Sequence, residues 1–361
     1  MKSNYKSIGE IVRRVDERNS DNTVESLVGL SIEKCFINSV ANTIGTDLSK
    51  YKIIRRRDFA VSLMQVSRDQ KIPIAMQDDY DVAIMSPAYS IFRVVDESVV
   101  IPEYLDMWFK RPEFDREASF IAVGGVRGSM PWEDFAKMRV PVPSYEKQQE
   151  IVESYRVISE RMELKKRIND NLEAQAQAVI ADRIDKSGAE TTVDDLITLF
   201  DFMRKPMSSL DRRGMARIYP YYGAAALMDY VDDYIFDGVY GLLGEDGTVM
   251  DDNGYPIMQY VWGKFWVNNH AHIFQGKDGY STELVYLLLK KTVVRNAVTG
   301  AVQLKINQEN LRKLPISVPS DDNLIALNQL VQTIFTSIRE NGDEIIRLNT
   351  FRDTLLAKMS D

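Results

Sequence analysis

The chain has 361 residues, of which 45% are hydrophobic, and its 45 basic and 53 acidic side chains give a net charge of −8. This length predicts more than one domain, because single cores stop growing at roughly 250–300 residues, and the apolar fraction excludes a disordered chain. The acidic balance argues against a binder that works through bulk positive charge, although local basic grooves stay open. One cysteine and two histidines leave no intrachain disulfide and disfavour structural zinc. Without a long apolar run or an apolar N-terminal core, a cytoplasmic protein is expected.

The first predicted module, residues 1–145, is a mixture of strands and a helix. Runs of β-branched and aromatic residues predict strands at 53–54, 59–61, 82–85 and 91–95. One helix is predicted around 103–110. The module therefore belongs to a mixed α+β class.

A long helix, predicted over residues 146–186, follows the first module. Ser144 is a candidate N-cap with Glu146 in the favourable first turn, and Gly188 is a candidate stop. Apolar residues recur at steps of three and four, which places them on one helix face, and a stripe of this length is typical of a coiled coil.

The second module, residues 187–320, repeats the mixed character, and a second long helix, 321–361, follows it. Strands are predicted at 238–243, 260–262 and 272–274, and a helix at 283–291. Glycines at 238, 241, 244 and 247 are interpreted as hairpin turns. Gly342 lies inside the last helix at a cost of roughly 1 kcal/mol, and we expect one helix there, either continuous or kinked.

The two halves of the chain align when one is shifted by 176 residues. Phe135 then matches Leu311, and Pro143-Ser144 matches Pro319-Ser320. The shift also superimposes the two helical stripes, so that Lys165 aligns with Asn341. The apolar members predicted to pair the helices or bind a partner are Tyr155, Ile158, Met162, Leu172, Val179, Val331, Ile334, Ile338, Ile345, Leu348 and Leu355.

This duplication has two interpretations. The paired helices could be an ordinary two-helix core, or they could be a rigid spacer between two globular modules. Because each module is followed by its own helix, the repeat favours the spacer. A duplicated frame with divergent loops also indicates two related but different binding sites.

Local clusters are the candidates for nucleic-acid contact, because no segment is basic overall. Residues 1–145 carry 20 basic and 21 acidic side chains, and residues 187–320 carry 13 and 16. The clusters are the polar loop 68–71, the glycine-rich loop 124–129, the tyrosines of 219–223, and 263–270, which mixes a cation, aromatics and amides. These residue types contact phosphates and base edges. Each cluster taken alone is better explained as core aromatics or turn residues.

Sequence motifs of catalysis are absent. There is no phosphate-binding GxxxxGK[ST] loop and no Gly-x-Ser-x-Gly elbow. His270 and His272 could share a metal on one strand face, but the sequence offers no third ligand, so no metal site is predicted. The chain is therefore predicted to bind and not to catalyse.

A module, a strand that ends in proline and a long helix follow one another twice along the chain. This arrangement resembles that of the specificity (S) subunits of type I restriction–modification systems. The segment from Gly300 through Pro319 looks like the end of a target recognition domain in that family, and Tyr219–Ala224 and Val267–His272 are also similar to such domains. The first module departs more, and Arg127 stands where the second has Gln303.

The resemblance implies a non-enzymatic reader of double-stranded DNA, each module reading one half of a bipartite, asymmetric site. The helices would set the spacing and dock methyltransferase subunits, two by expectation. S-adenosylmethionine, ATP and Mg are expected on those partners and on restriction/translocase subunits, with no cofactor on this chain. The DNA-contacting residues expected on this basis are Arg68, Lys71, Arg127, Ser129, Tyr221, Tyr222, Lys264, Asn268, Asn269, His270 and Gln303. An orphan or type IIB-like specificity subunit, and a helical scaffold that does not bind DNA, are the alternatives.

Overall fold

The computed structural model describes residues 4–39, 46–64, 66–123, 128–300, 303–319 and 324–360. The chain divides into two compact units, Met1–Met162 with Ile346–Asp361, and Glu163–Ile345. Both boundaries fall inside the long helices, whereas the four segments predicted from sequence end where the helices begin and stop. That four-segment division stays a prediction.

The first unit is built from short strands that form several small sheets. Its largest sheet has four strands in the order β2-β9-β6-β7, and β1 pairs with β10, β3 with β4, and β5 with β8. The predicted strands at 53–54, 59–61, 82–85 and 91–95 correspond to β5, β6, β8 and β9. The strands are β1 (Tyr5–Ser7), β2 (Val12–Val15), β3 (Val28–Leu30), β4 (Phe36–Asn38), β5 (Lys52–Arg55), β6 (Phe59–Val61), β7 (Ile74–Met76), β8 (Val82–Met85), β9 (Ser90–Val94) and β10 (Arg139–Pro141).

More helices cover this unit than the single one predicted at 103–110. They are α1 (Ile8–Ile11), α2 (Val66–Asp69), α3 (Pro102–Phe109), α4 (Pro112–Ile121) and α5 (Trp132–Lys137), and α6 (Tyr145–Ser187) begins here. Helix α4 escapes sequence inspection because it buries little apolar surface: only Phe114 and Ala118 are buried. Phe114 joins Phe59, Phe92 and Phe109 in the aromatic core of the unit.

The second unit is organised around one six-stranded sheet with the order β12-β17-β15-β16-β13-β14. Helices α7 (Val193–Leu196), α8 (Thr282–Lys290) and α9 (Gln308–Arg312) accompany it. Buried Leu284, Leu287 and Leu288 carry α8 into the core, and Ser281 caps its first turn. The strands are β11 (Gly188–Thr192), β12 (Ile197–Leu199), β13 (Tyr219–Tyr222), β14 (Leu227–Val231), β15 (Phe236–Gly244), β16 (Met258–Val267), β17 (Ala271–Gly276), β18 (Val298–Thr299), β19 (Lys305–Ile306) and β20 (Pro315–Pro319).

Tyr219–Tyr222 form strand β13 and lie directly before the turn in which the Gly223 amide donates to the Ala226 carbonyl at 2.9 Å. One sequence interpretation in this unit is wrong, the assignment of four glycines to hairpin turns. Gly238, Gly241 and Gly244 lie within β15, and only Gly247 of that series lies in a turn, with φ +82°. A Cβ at Gly241 would stand 2.1 Å from Cζ of Phe274, so this glycine serves close packing between neighbouring strands.

The last long helix, α10 (Leu324–Ala357), runs through Gly342 as one helix, as the sequence predicts. Helix α6 begins directly after Ser144, whose Oγ accepts a hydrogen bond from the Lys147 amide at 3.3 Å, and it ends at Ser187, before Gly188. The predicted mixed α+β architecture with two long helices is confirmed.

Within the second unit, α6 and α10 run antiparallel. Lys165 contacts Asn341, while Asn169, four residues further along α6, bonds the carbonyl of Ile338, three residues back along α10. The apolar stripes lie on the buried side: Val331 is fully buried, Ile338 is 9% exposed, and Leu172, Val179 and Ile334 pack against the same core.

In the first unit, the corresponding residues also face inward. Ile158 and Met162 are buried, and Tyr155 and Leu355 pack against the core of that unit. Leu348 of this unit is half-buried, as is Ile345, the last residue of the second unit. The role of all these positions in binding a partner stays a prediction. Among the described helices, none combines the length and the apolar character that a membrane crossing requires.

Candidate nucleic-acid interface

A basic loop, residues 204–218, connects the 3-10 helix Asp201–Met203 to β13 and is anchored by two of its arginines. The guanidinium of half-buried Arg204 donates to Glu245 at 2.6 Å and to the carbonyl of Ala271 at 2.7 Å. Arg212 donates to Asp229 at 2.9 Å and lies over the ring of Tyr221, with 4.7 Å from Cζ to the ring centroid. These two arginines therefore anchor the loop to the rest of the module and are not available to contact a ligand.

The same loop presents three cations to solvent. Lys205, Arg213 and Arg217 are exposed. Arg217 forms an ion pair with Asp229 at 3.2 Å and lies over Tyr230. Within the described part of the chain, neither the Lys205 ammonium nor the Arg213 guanidinium has an ion-pair partner. The backbone of Lys205 is nonetheless fixed, because its carbonyl accepts a 2.6 Å hydrogen bond from the Trp266 indole.

A buried ionic network lies beneath the start of the loop. His272 contacts Asp201 through Nδ1 at 2.6 Å and the Ile306 carbonyl through Nε2 at 2.8 Å. Both ring nitrogens of His272 are therefore engaged within the network. Burial alone would raise the pKa of Asp201, but the hydrogen bond and charge of His272 outweigh it and hold that pKa below its usual value. The pKa of Glu245 is likewise lowered, because bonds from Arg204 and Lys305 outweigh burial.

These acidic groups and His272 lie close enough to suggest a metal centre. However, Asp201 already accepts from Gln308 at 2.7 Å, and Glu245 is paired with Lys305 at 3.1 Å. The positive charge that a metal would supply is thus supplied by side chains. His270 is exposed and contacts Asp246 at 2.7 Å, whereas His272 is fully buried, so the two histidines do not share a site.

Four predicted contacts of the second module lie on β13, on β16 and directly after β16, and two of them are buried. Tyr221 is 1% exposed with its hydroxyl at the Met207 backbone, and Asn268 is 4% exposed, its Oδ1 accepting from the His270 amide. Both therefore support the fold, and we do not keep them as DNA contacts. Tyr222 is half-buried against Phe265, and burial raises its pKa to about 12. Lys264 is exposed and lies 4.4 Å from the ring centroid of Tyr234.

Three other predicted residues belong to loops beside the ionic network. Asn269 and His270 are exposed, and the carbonyl of Asn269 accepts from Arg204 at 3.3 Å. Gln303 is exposed. The carbonyl of the next residue, Leu304, accepts a hydrogen bond from the Gly247 amide. Asn269 and His270 therefore lie beside the Arg204 anchor.

In the first unit, two of the predicted residues come together and a third does not join them. A Cβ on Gly128 would be 3.3 Å from the Arg68 amide nitrogen, which places half-buried Ser129 beside Arg68. Arg68 is exposed and bonded to Asp69 at 2.7 Å. Lys71 pairs with Glu33 at 2.8 Å. Arg127 lies outside the described residues.

Sequence reasoning missed Lys205, Arg213 and Arg217. The signal was a cluster of five basic residues between positions 204 and 217, with Asp211 as the only acidic one. A count of basic and acidic side chains over the whole module hides this cluster, because residues 187–320 are acidic overall.

Comparison with known proteins identifies the class of this module. Residues 189–348 match the family model described as Type I restriction modification DNA specificity domain. A curated Haemophilus influenzae protein, named as type I restriction enzyme specificity subunit S.HindORF215P, is 33% identical over 127 residues, which are 35% of this chain and 32% of that protein. The match thus spans about a third of that relative's length.

The fold likeness extends over nearly the whole chain. The crystal structure of the type I restriction–modification S subunit from M. genitalium aligns with a TM-score of 0.54 and 12% identity, covering 98% of this chain and 95% of that one. Residues 189–348 are therefore similar in sequence to type I restriction–modification DNA specificity domains, and the likeness to the solved S subunit is one of fold. The resemblance to specificity subunits that the motifs suggest is confirmed.

Proposed function

We propose that this chain is the DNA sequence-recognition subunit of a type I restriction–modification complex, each globular module reading one half of a bipartite, asymmetric site. The observation that carries the proposal is the match of residues 189–348 to the specificity domain, since this segment contains the anchored basic loop. The proposed role is non-catalytic.

The exposed residues of the second module divide into two groups. Lys205, Arg213 and Arg217 have the charge to hold phosphates, which positions the protein without reading sequence. Asn269, His270 and Gln303 carry amide and imidazole groups of the kind that read base edges in the major groove. Exposed Lys264 joins the first group.

Partner subunits complete the proposed activity. Methyltransferase subunits, two by expectation, would bring S-adenosylmethionine, and restriction/translocase subunits would bring ATP and Mg. A net charge of −8 gives this chain little phosphate affinity of its own. The partners would therefore supply much of the grip on the DNA backbone, while the long helices set the spacing between half-sites.

Methylome sequencing of a host with and without this gene tests the proposal. We expect a bipartite adenine-methylated motif that disappears with the gene. Complementation with Lys205→Ala/Arg213→Ala should reduce methylation at this motif, whereas Lys313→Ala, which changes an exposed lysine directly after α9, should restore it to the wild-type level. An unchanged methylome, together with a purified chain that does not select any duplex, would favour the helical scaffold. An orphan or type IIB-like subunit would still give a motif, but without a neighbouring type I restriction gene.

A further inference from the structure

We propose that Phe202 is a wedge that inserts between bases of the DNA bound by the second module. The inference rests on the proposed function and adds a contact that the sequence analysis does not contain. Phe202 is the middle residue of the 3-10 helix Asp201–Met203 and is 83% exposed. It is the most exposed large hydrophobic residue among those described.

Isolated exposed apolar residues are common on protein surfaces, but the backbone on both sides of this one is fixed by buried and half-buried charges. Asp201 accepts from the Ile273 amide at 2.9 Å and from Gln308 at 2.7 Å, and it contacts His272 at 2.6 Å. Arg204, two residues after Phe202, is held by Glu245 and by the Ala271 carbonyl.

The ring itself also rests on a support. The rings of Phe200 and Phe202 lie 6.5 Å apart, with 28° between their planes, and Phe200 in turn contacts Tyr240 edge-on. Phe200 is half-buried, and it packs against the core on this face of the sheet. Phe202 is thus the outermost of three neighbouring aromatic rings, of which the inner two pack against the core.

Rigidity of this kind suits a wedge. Parting two stacked bases is costly, so a side chain that does so has to keep its position against the duplex. A mobile ring would instead fold back onto the protein. Inserted apolar side chains part base steps in this way in other DNA-bending proteins.

The surroundings of Phe202 identify DNA as the occupant. Lys205, three residues on, has an exposed ammonium without an ion-pair partner among the described residues. Exposed Asn269 contacts the Arg204 anchor through its carbonyl, and exposed His270 follows it. Cations and amides around an exposed ring match the phosphates, base edges and base faces of a nucleic acid.

The test begins with selection from a randomised duplex pool by the purified full chain at low salt. The enriched duplex is then made with 2-aminopurine at each position of the half-site in turn. We expect wild-type protein to raise the fluorescence at one base step, which reports unstacking. Phe202→Ala should abolish this rise and weaken binding about tenfold, while Phe202→Trp should keep it. Phe351→Ala is the control, because Phe351 is an aromatic residue that is 64% exposed on α10, outside the basic loop.

The outcomes separate the two proposals. If the methylome shows no motif that depends on the gene and the pool yields no enriched sequence, the proposed function fails and the wedge fails with it. If only the pool fails, the methylome motif supplies the duplex for the 2-aminopurine test. The wedge alone is overturned if a sequence is enriched but wild-type protein raises the 2-aminopurine fluorescence at no base step. It is also overturned if the Phe202→Ala variant raises the fluorescence at the same step as wild type. Sensitivity to a thymine-to-uracil exchange at one position, without any brightening, would show an apolar methyl contact in place of insertion and would also overturn the wedge.

Discussion

Lys165 donates a hydrogen bond from Nζ to Oδ1 of Asn341 at 2.7 Å, and these residues occupy equivalent positions in the duplicated sequence, 176 apart. In an antiparallel pair, residue numbers rise along one helix while they fall along the other. Equivalent positions of the repeat therefore face each other at one place only. Asn169 donates to Ile338 and accepts from Asn341, and Lys165 also pairs with Glu344 at 2.9 Å. Polar groups at such a contact can fix the register of helices at some cost in stability.

Gly342 is the first position where a substitution tests the packing. A glycine-to-alanine change inside a helix normally stabilises it by about 1 kcal/mol. Here a Cβ would lie 2.6 Å from Cζ2 of Trp262, whose indole also donates to Asp343 at 2.9 Å. We expect Gly342→Ala to lower the urea midpoint of the chain. In a Trp262→Leu background the same change should raise it, and a rise in both backgrounds would contradict the packing argument.

Removing the charge of Asp201 should destabilise the second unit strongly. Asp201→Asn leaves buried His272 and half-buried Arg204 with less compensation, and breaking a buried ion pair costs about 3 kcal/mol or more. Urea unfolding measures this loss. Asp232→Asn changes an exposed carboxylate and should stay within about 0.5 kcal/mol. Equal behaviour of the two variants would show that the network does not hold the loop.

Asp195 should make stability depend on acid pH. Its carboxylate accepts from the Thr192 amide and hydroxyl and from the Thr191 hydroxyl, which lowers its pKa from an ordinary 3.8 to about 2. Because the folded-state pKa lies below the unfolded one, the stabilisation is present above pH 4 and is lost as the pH falls toward 2.

The comparison for this prediction is Asp195→Asn against wild type in thermal melts from pH 6 to pH 2. The difference in melting temperature should be largest near pH 6 and shrink below pH 4. Asp232→Asn should match wild type throughout this range. A difference that persists unchanged at pH 2 would speak against the carboxylate as its source.

Base contacts in the second module should affect only one half of the site. We expect Asn269→Ala and His270→Ala each to relax the methylated motif in one half-site, because both exposed residues belong to the second module alone. Asn268 is unsuited to this test, since it is buried and its loss would disturb the loop. Methylomes of complemented strains measure the effect, and equal relaxation of both half-sites would argue against two independent readers.

Helix length should set the spacer. Removing one heptad shortens an α-helix by about 10 Å, close to the rise of about three base pairs. Because α6 and α10 run antiparallel in the second unit, opposing heptads should be removed together. We expect selected sites to have a spacer shorter by about three base pairs. Sites with the original spacer would refute the spacer role.

The sequence predicts the repeating elements well and the anchored loop poorly. Strands such as β8 and β17, and both long helices, follow from local composition and from helical periodicity. The ionic network does not, because Asp201 and His272 are 71 residues apart and a pattern of single residues cannot show such a contact. Burial of Tyr221 and Asn268 was missed for the same reason: their residue types suit both a surface and a satisfied interior position.

Between Arg204 and Arg212 the basic loop has only a few attachments to the body of the module, among them the Trp266 bond to Lys205 and the Tyr221 bond to Met207. Ser208, Ser209 and Leu210 lie exposed in that interval. Substitutions and small insertions there would leave the sheet and its ionic support intact. Evolution can therefore change the surface of this module by altering a short stretch of chain, so that new target preferences arise without the fold having to be stabilised again.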